Sequence, residues 1–505
     1  MAVSVVLPDG DSAGGCVPQG CGKSAGPKPL AVGQANCEGE GTANFPVPAV
    51  KKKRHIPPDG LAGPQRYLAV ATISLGTIMT AMDSSLVNIA LPTIAGEFQI
   101  SASSSVWIVN ASQIAMLVFL LPLGALGARI GYRRIYLGGV VVFLTGSLLG
   151  AFADSLTALV AARALQGIGG AGIVGVQHAL VRAVYPASRL GRGMGINSMF
   201  VASSSTIGPT VAGAVLAVAS WPFLFVINLP LGLIALVLGY YVLPWNERAK
   251  ERFDVKAAAM TAATLGLFVL AIDSFSHGGD PLAAGIEFAI AALIAVVLVK
   301  SQWGHPTPFL PFDLFANRMM ALSLLAGQCA FIGQLLTFVT LPFVLHNAGF
   351  GQVQIGIAMT PWPLTIALTA PIAGILCDRF APSLIGTIGL VLSTAGLLLL
   401  AFLPEGFGLY DVVWRMALAG LGYGMFSPPN ARQIMHAAPK HRSGIVSGLL
   451  GTNRLTGQSI GAALAALVLT VAVTNAGFVA LALGAAMTAI GASLSLLRAP
   501  RAKGA

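Results

Sequence analysis

Windows of about twenty apolar residues recur in this chain from Tyr67 almost to the C-terminus. Each is long enough to cross a bilayer as a helix. Composition agrees: 55% of the residues are hydrophobic and only 9% are charged, where a soluble globular protein carries about 25% charge. The expected fold class is an all-α polytopic membrane protein. Fourteen spans are predicted, at 67–91, 106–126, 136–154, 157–180, 193–217, 222–243, 255–275, 282–300, 319–344, 355–376, 383–403, 410–430, 443–472 and 476–497. The first begins too late for a cleaved signal peptide.

Positive charge divides the loops in the same way. Of 29 Lys and Arg, seven precede the first span. Arg129, Arg133 and Arg134 follow the second span, Arg182, Arg189 and Arg192 the fourth, and Arg248, Lys250, Arg252 and Lys256 the sixth. Lys300 and Arg318 bracket the link after the eighth, Arg379 follows the tenth, and Arg432, Lys440 and Arg442 the twelfth. Arg498, Arg501 and Lys503 close the chain, and the other loops hold none. Cytoplasmic loops carry the excess of Lys and Arg, so both termini are expected in the cytoplasm. The net charge of +11 then reflects topology, and no nucleic-acid partner is expected.

Residues 1–66 are rich in Gly, Pro and Ala and are expected to form a disordered cytoplasmic tail. "GCVPQGCGKS" looks like a phosphate loop, but that pattern needs Gly six residues before the Lys, and Lys23 has Val17 there. Nucleotide binding is excluded on that ground. Cys16, Cys21 and Cys37, with His55 nearby, match no common zinc spacing. The "KKKRH" run at 51–55 reads as a topology or lipid-surface signal.

The chain repeats internally. "GALGARIG" (124–131) aligns with "GILCDRFA" (374–381) at an offset of 250, and Gly195 and Gly208 align with Gly444 and Gly457 at an offset of 249. Residues 67–243 and 319–497 are therefore read as two related six-helix halves, 255–300 as a two-helix insert, and 498–505 as a second cytoplasmic tail. Two such halves in parallel repeat, with a pathway between them, resemble the major facilitator architecture.

Three polar features stand out within the spans. Asp83 lies about 24 Å along its helix from Tyr67 at ~1.5 Å per residue, past the middle of the bilayer. A carboxylate facing lipid there costs several kcal/mol, so Asp83 is expected to face the central cavity, with Thr72, Gly76 and Thr80 on its face. Such a group can exchange a proton for a cationic substrate, or it can serve as a structural hydrogen-bond acceptor. Arg163 shares a face with Gln166, Gly170 and Gln177. It needs an acceptor, and beside an acid it would bias proton movement. In "SSSTIGPTVAGAV", Ser204, Gly208 and Ala212 form one small-residue row, and Ser205, Pro209 and Gly213 the next. Such rows let helices approach closely, and the proline bends the helix. Asp273 and Glu287 in the insert, Arg415 and the deeper Arg454 are further candidates. His178, Gln328, Gln334, Asn430 and Gln458 are candidates to line the pathway.

At this point a resemblance can be stated, covering about residues 67–497. "MDSSLVNIALP", "GALGARIGYRR", "ARALQGIGGA", "GPTVAG" and "WPFLFVINLPLG", in that order, resemble the motifs of the fourteen-span drug:proton antiporter family of the major facilitator superfamily. The resemblance implies a proton role for Asp83 and Arg163, an antiporter motif at Gly208, Pro209 and Gly213, and a cytoplasmic gate at Gly124, Arg129, Gly131, Arg133, Asp378 and Arg379. It departs from the family at Ala128, where an acid that contacts the other half is usual, at Ala381, and at Pro222 and Phe223.

The expected function is proton-driven export of amphipathic, often cationic, compounds across a bacterial inner membrane by alternating access. No cofactor is expected beyond the proton gradient. The transport unit is expected to be monomeric, with a periplasmic adaptor as a potential partner. The alternatives are a dedicated exporter of one metabolite, such as an antibiotic or siderophore, a proton symporter, and a non-transporting membrane sensor. The chain shows no nucleophile–base motif and no appended soluble domain, so no enzymatic activity is expected.

Overall fold

The computed structural model describes residues 60–61, 63–246, 253–276, 281–303, 309, 312–404, 406–471 and 475–498. The basic run at 51–55, the tail cysteines and residues 499–505 lie outside the described residues. The elements are, in order, α1 (Gly63–Glu97), α2 (Ala102–Ile130), α3 (Tyr132–Ala151), α4 (Leu156–Val184), α5 (Leu190–Val218), α6 (Phe223–Val226), α7 (Asn228–Val242), α8 (Val255–Ser276) and α9 (Pro281–Gln302). They continue with α10 (Phe312–Phe315), α11 (Arg318–Asn347), α12 (Gln352–Met359), α13 (Pro361–Arg379), α14 (Pro382–Ala401), α15 (Leu409–Ala437), α16 (Ser443–Val471) and α17 (Ala476–Leu497).

Local chemistry marks where several of these start and break. The Ser101 hydroxyl accepts from the Ser104 N–H at 3.1 Å to open α2, and Ser155 does the same for Ala158 at 3.4 Å to open α4, each satisfying an orphan helix donor. The tenth predicted span is interrupted between α12 and α13, where Pro361 and Pro363 supply no N–H.

Every predicted span falls on helix. Among the described residues, twelve helical segments are long and apolar enough to cross a membrane, so the count of fourteen is not reached by that measure. The two that fall short are α15 and α16, each 29 residues long. Both carry a row of polar groups: Arg415, Asn430, Arg432 and Gln433 in the first, Asn453, Arg454, Thr456 and Gln458 in the second. Both pack against other helices, α15 on α13 and α14, and α16 on α2, α4 and α11. Their polar faces therefore meet protein.

Within the first repeat, α1 packs on α5 and α7, α2 on α4, and α3 on α4 and α7. Within the second, α11 packs on α16 and α17, and α14 on α15 and α17. The helices α8 and α9 pair with each other, and α8 touches α2 and α16. Across the halves the main contacts are α5 with α13 and α15, and α16 with α2 and α4.

The repeated glycines make these cross-half contacts. A Cβ on Gly124 would sit 2.6 Å from the Gly444 carbonyl oxygen, and one on Gly195 would sit 3.1 Å from the Gly374 Cα. Gly124 and Gly374 are repeat equivalents, as are Gly195 and Gly444. The interface therefore has pseudo-two-fold character, each half presenting the same glycine to the same partner. Polar contacts reinforce it. The Gly444 N–H donates to the Tyr132 hydroxyl at 2.9 Å, Arg182 donates to Ser443 Oγ at 3.0 Å and to the Ala438 carbonyl at 2.8 Å, and the His178 N–H donates to Ser447 Oγ at 3.1 Å. All of these lie at the end of the bundle that carries the Arg-rich α2–α3 turn. That end is closed.

Arg498, just past α17, is part of the fold. Its guanidinium donates to Asn430 Oδ1 at 2.5 Å, Ser495 Oγ at 2.7 Å and Ser323 Oγ at 3.1 Å. Burial pushes it down to about 10, so it stays charged at neutral pH while tying α17 to α11 and α15.

Cys377 is fully buried at the α5–α13 contact. In a protein whose other cysteines are replaced by serine, Gly124→Leu should separate α2 from α16 and, if the two contacts open together, expose Cys377. Maleimide labelling of Cys377 is expected to speed up by about tenfold, as ~1.4 kcal/mol of lost closure would produce. An unchanged rate would show the two contacts to be independent.

Candidate functional site

The buried polar centre of the first half is built around Asp83, which is 4% exposed. Arg163 on α4 donates from Nη1 to Asp83 Oδ2 at 2.5 Å and to Gln166 Oε1 at 2.5 Å, from Nε to the Ile108 carbonyl at 3.0 Å, and from Nη2 to Ser112 Oγ at 2.8 Å. Asp83 Oδ1 accepts from Asn228 Nδ2 at 2.9 Å and from Gln166 Nε2 at 3.1 Å. Gln166 Nε2 also donates to Ser147 Oγ at 2.6 Å. The network around this carboxylate thus joins α1, α2, α3, α4 and α7. The Phe225 ring lies 6.0 Å from the Arg163 guanidinium and closes the apolar side, with Trp221 edge-on to it at 6.1 Å.

This corrects one expectation. Asp83 was expected to face the central cavity, but its side chain is turned into the interior of its own half, and all its partners belong to that half. An intramembrane acid can escape lipid in either direction, and the guanidinium and two amides make the inward one favourable. Asp83 and Arg163, predicted separately, form an ion pair. Gln166 joins it, while Gln177 instead donates to Asn197 Oδ1 at 2.6 Å.

The other sequence candidates fall elsewhere. Gly208 packs on the same turn of α1: a Cβ there would lie 2.6 Å from Ser85 Cβ. Its row, Ser204 and Ala212, is buried, whereas Pro209 and Gly213 are exposed, and a Cβ on Gly213 would meet nothing within 4 Å. Glu287 accepts from Ser274 Oγ at 3.1 Å, across the α8–α9 pair and outside the Asp83 network. Asp273 falls within α8, but its side chain is outside the described residues.

The gate candidates also divide. Asp378 accepts from the N–H groups of Gly191 at 3.0 Å and Arg192 at 3.1 Å, and forms an ion pair with Arg432 at 3.5 Å. It thereby caps the N-terminus of α5 across the two halves, where helix N–H groups and the helix dipole favour an anion. Its repeat equivalent is Ala128, which is buried and apolar. On that side the N-terminal end of α16 is met by the Tyr132 hydroxyl. The gate therefore has an anion at the start of α5, while the start of α16 is met by the Tyr132 hydroxyl and the Arg182 guanidinium. Arg133 does not join it. Arg133 donates to the Tyr240 carbonyl and lies 4.5 Å from the Trp245 ring, within its own half. Arg129 and Arg379 are exposed. Gly131 forms the turn between α2 and α3 at φ +115°, a conformation that suits glycine.

Sequence reasoning missed Ser112 and Ser147, which sit in apolar helices with nothing to distinguish them. Asn228 carried a signal, its place in "WPFLFVINLPLG", but no role. Its Oδ1 is buried without a partner, a rare condition for a buried acceptor.

A sequence model of the Major Facilitator Superfamily matches residues 73–462. The chain belongs to the major facilitator superfamily. Its relatives include the uncharacterized transporter YebQ of Escherichia coli (strain K12), 44% identical over 87% of this chain and 97% of YebQ. The riboflavin transporter RibZ of Clostridioides difficile (strain 630) is 30% identical over 79% of this chain and 87% of RibZ. The multidrug resistance protein Stp of Mycobacterium tuberculosis (strain CDC 1551 / Oshkosh) is 30% identical over 78% of this chain and 74% of Stp. The fold is shared with the proton:xylose symporter XylE at TM-score 0.61 and 15% identity, over 85% of this chain and 95% of XylE. This major facilitator protein is a multi-pass membrane transporter and not an enzyme.

Removing one partner of a buried ion pair leaves the other charge uncompensated. Arg163→Met is expected to lower unfolding stability in detergent by about 3–5 kcal/mol. The double variant Asp83→Asn, Arg163→Met should recover more than half of that loss. Thermal unfolding of the three proteins checks both statements.

Proposed function

We propose that this transporter is a proton-coupled antiporter of the bacterial inner membrane, with fourteen crossings and both termini cytoplasmic, that exports amphipathic small molecules by alternating access. The observation that carries the reading is the position of Asp83: a buried carboxylate, paired with Arg163, on the turn of α1 against which α5 packs at Gly208. The other end of α5 is the one capped by Asp378 and packed on Gly374. One helix thus runs from the proton site to the closed end of the pathway.

The network suits proton exchange. Protonating Asp83 removes the charge that holds Arg163 and turns an acceptor into a donor. The unpartnered Asn228 Oδ1 can then accept from the new O–H by rotation of its amide. Losing the ion pair loosens the joint between α1 and α4 and, through Gly208, biases α5 against α13. Protons entering from outside and leaving to the cytoplasm would drive substrate outward. The fifth-helix motif and the multidrug-resistance relative support export of drugs. The riboflavin-transporter relative supports the second reading, a transporter dedicated to one metabolite.

Proton release from acid-loaded inverted vesicles tests this. A panel of dyes and biocides should trigger proton efflux with the wild type, and Asp83→Asn should abolish it. Equal efflux from both proteins would remove Asp83 from the mechanism. Asn228→Ala should slow the efflux by about tenfold, equivalent to ~1.4 kcal/mol in the barrier.

A further inference from the structure

We infer that the pathway between the halves contains a cationic subsite centred on Arg454, which receives the acidic group of an amphipathic substrate, a carboxylate, sulfonate or phenolate. The inference deepens the export reading, on which it rests for the direction of transport.

Arg454 lies eleven residues into α16 from Ser443, about 16 Å from the closed end at ~1.5 Å per residue. Its helix packs on α2 and α4 of the first half and on α11 of the second. Next to it, Leu455 is buried in a cluster with Leu117, Leu120, Ala171 and Val174 of the first half. On its other side, Asn453 donates to the Leu324 carbonyl of α11 at 3.1 Å. Arg454 is within electrostatic reach of His178 on α4 and of Tyr423 on α15. It therefore sits where the two halves meet, just beyond the contacts that close the pathway.

Among the described residues the guanidinium has no counter-charge. The other deep arginines are each committed: Arg163 to Asp83, Arg415 to Asp411, Arg432 to Asp378, and Arg498 to Asn430 and two serines. Arg454 makes no ion pair and no hydrogen bond among the described residues, and its Nε is buried without a partner. A guanidinium stays charged at neutral pH, and an uncompensated charge in a membrane interior is expensive and marks a pathway. A bound anion would supply what is missing.

The surroundings suit such a ligand. His178 Nδ1 and Trp362 Nε1 are also buried without partners, and the indole can only donate. The Tyr423 ring lies 6.2 Å from Phe331, 6.2 Å from Trp362 and 6.4 Å from Phe426, so it anchors the position to the buried aromatic cluster of the second half. Asp83, the carboxylate that was expected to attract a cation, is bound to Arg163, Gln166 and Asn228 inside its own half. The charge presented to a substrate is therefore positive, opposite in sign to the expectation from sequence.

Fluorescence titration of the purified full-length protein in detergent, with no gradient present, tests this. Three probes are used: anilinonaphthalene sulfonate; phenylnaphthylamine, which is the same ring system without the sulfonate; and the cation ethidium. The sulfonate should bind the wild type at least about tenfold more tightly than phenylnaphthylamine, a margin of ~1.4 kcal/mol. Arg454→Gln should erase that margin while changing phenylnaphthylamine binding by less than about twofold, and Arg454→Lys should restore part of it, since a point charge replaces the fork. A wild type that prefers ethidium, a margin that survives Arg454→Gln, or equal weakening of both naphthalene probes overturns the inference. The two readings fail separately. A wild type that shows the margin but never releases protons overturns the antiport reading alone. One that releases protons and lacks the margin overturns the subsite alone.

Discussion

The first half of this transporter is organised by the cost of placing charge in an apolar interior. Asp83 and Arg163 solve that cost together. Neither is tolerable alone at that depth, and the pair still leaves lone pairs and N–H groups to be matched. Gln166, Ser112, Asn228 and the Ile108 carbonyl meet that need, with Ser147 holding Gln166 in place. Each comes from a fixed place on α2, α3, α4 or α7, so the helices must stand in register around the carboxylate. The short break between α6 and α7 brings Asn228 to Asp83 and sets Phe225 against Arg163, with Trp221 edge-on to Phe225. In the proposed mechanism the network that orders the half is also the one that a proton resets.

The closed end depends on a different constraint, backbone approach. Gly124 against Gly444 and Gly195 against Gly374 repeat one contact across the pseudo-two-fold axis. The chemistry laid over that symmetry is unequal. Asp378 caps α5 with a full negative charge, while at Ala128 the N-terminal end of α16 is met by the Tyr132 hydroxyl and the Arg182 guanidinium. Charge-assisted contacts, which are roughly twice as strong as neutral ones, are thus present on both sides of the seal, an anion at the start of α5 and a cation at the start of α16. The α5 side also touches the turn bearing Asp83, through Gly208.

Much of this was legible in the chain, for identifiable reasons. Apolar runs of membrane length declare helices because a bilayer leaves the backbone few options. The repeat at offsets of 249 and 250 marked the glycines that meet across the halves, since only the smallest residue fits where two backbones touch. Asp83 and Arg163 stood out because their cost is large. Other features were hidden. Arg133 belongs to a motif read as a gate, yet its cation faces Tyr240 and Trp245, and motif membership does not say which way a long side chain turns. Ser112 and Ser147 had no pattern, because a lone serine is cheap in a membrane helix.

The sequence by itself determined the class, the helices, the two-fold repeat and the list of expensive residues, because bilayer solvation penalises those features locally. Only the tertiary structure decided which of them are partners. Asp83 found its cation within its own half, and Arg454, on a helix that packs on both halves, has no anionic partner among the described residues. Pairing depends on three-dimensional proximity between helices far apart in sequence. The sign of charge that a substrate meets is therefore a property of the fold and not of composition.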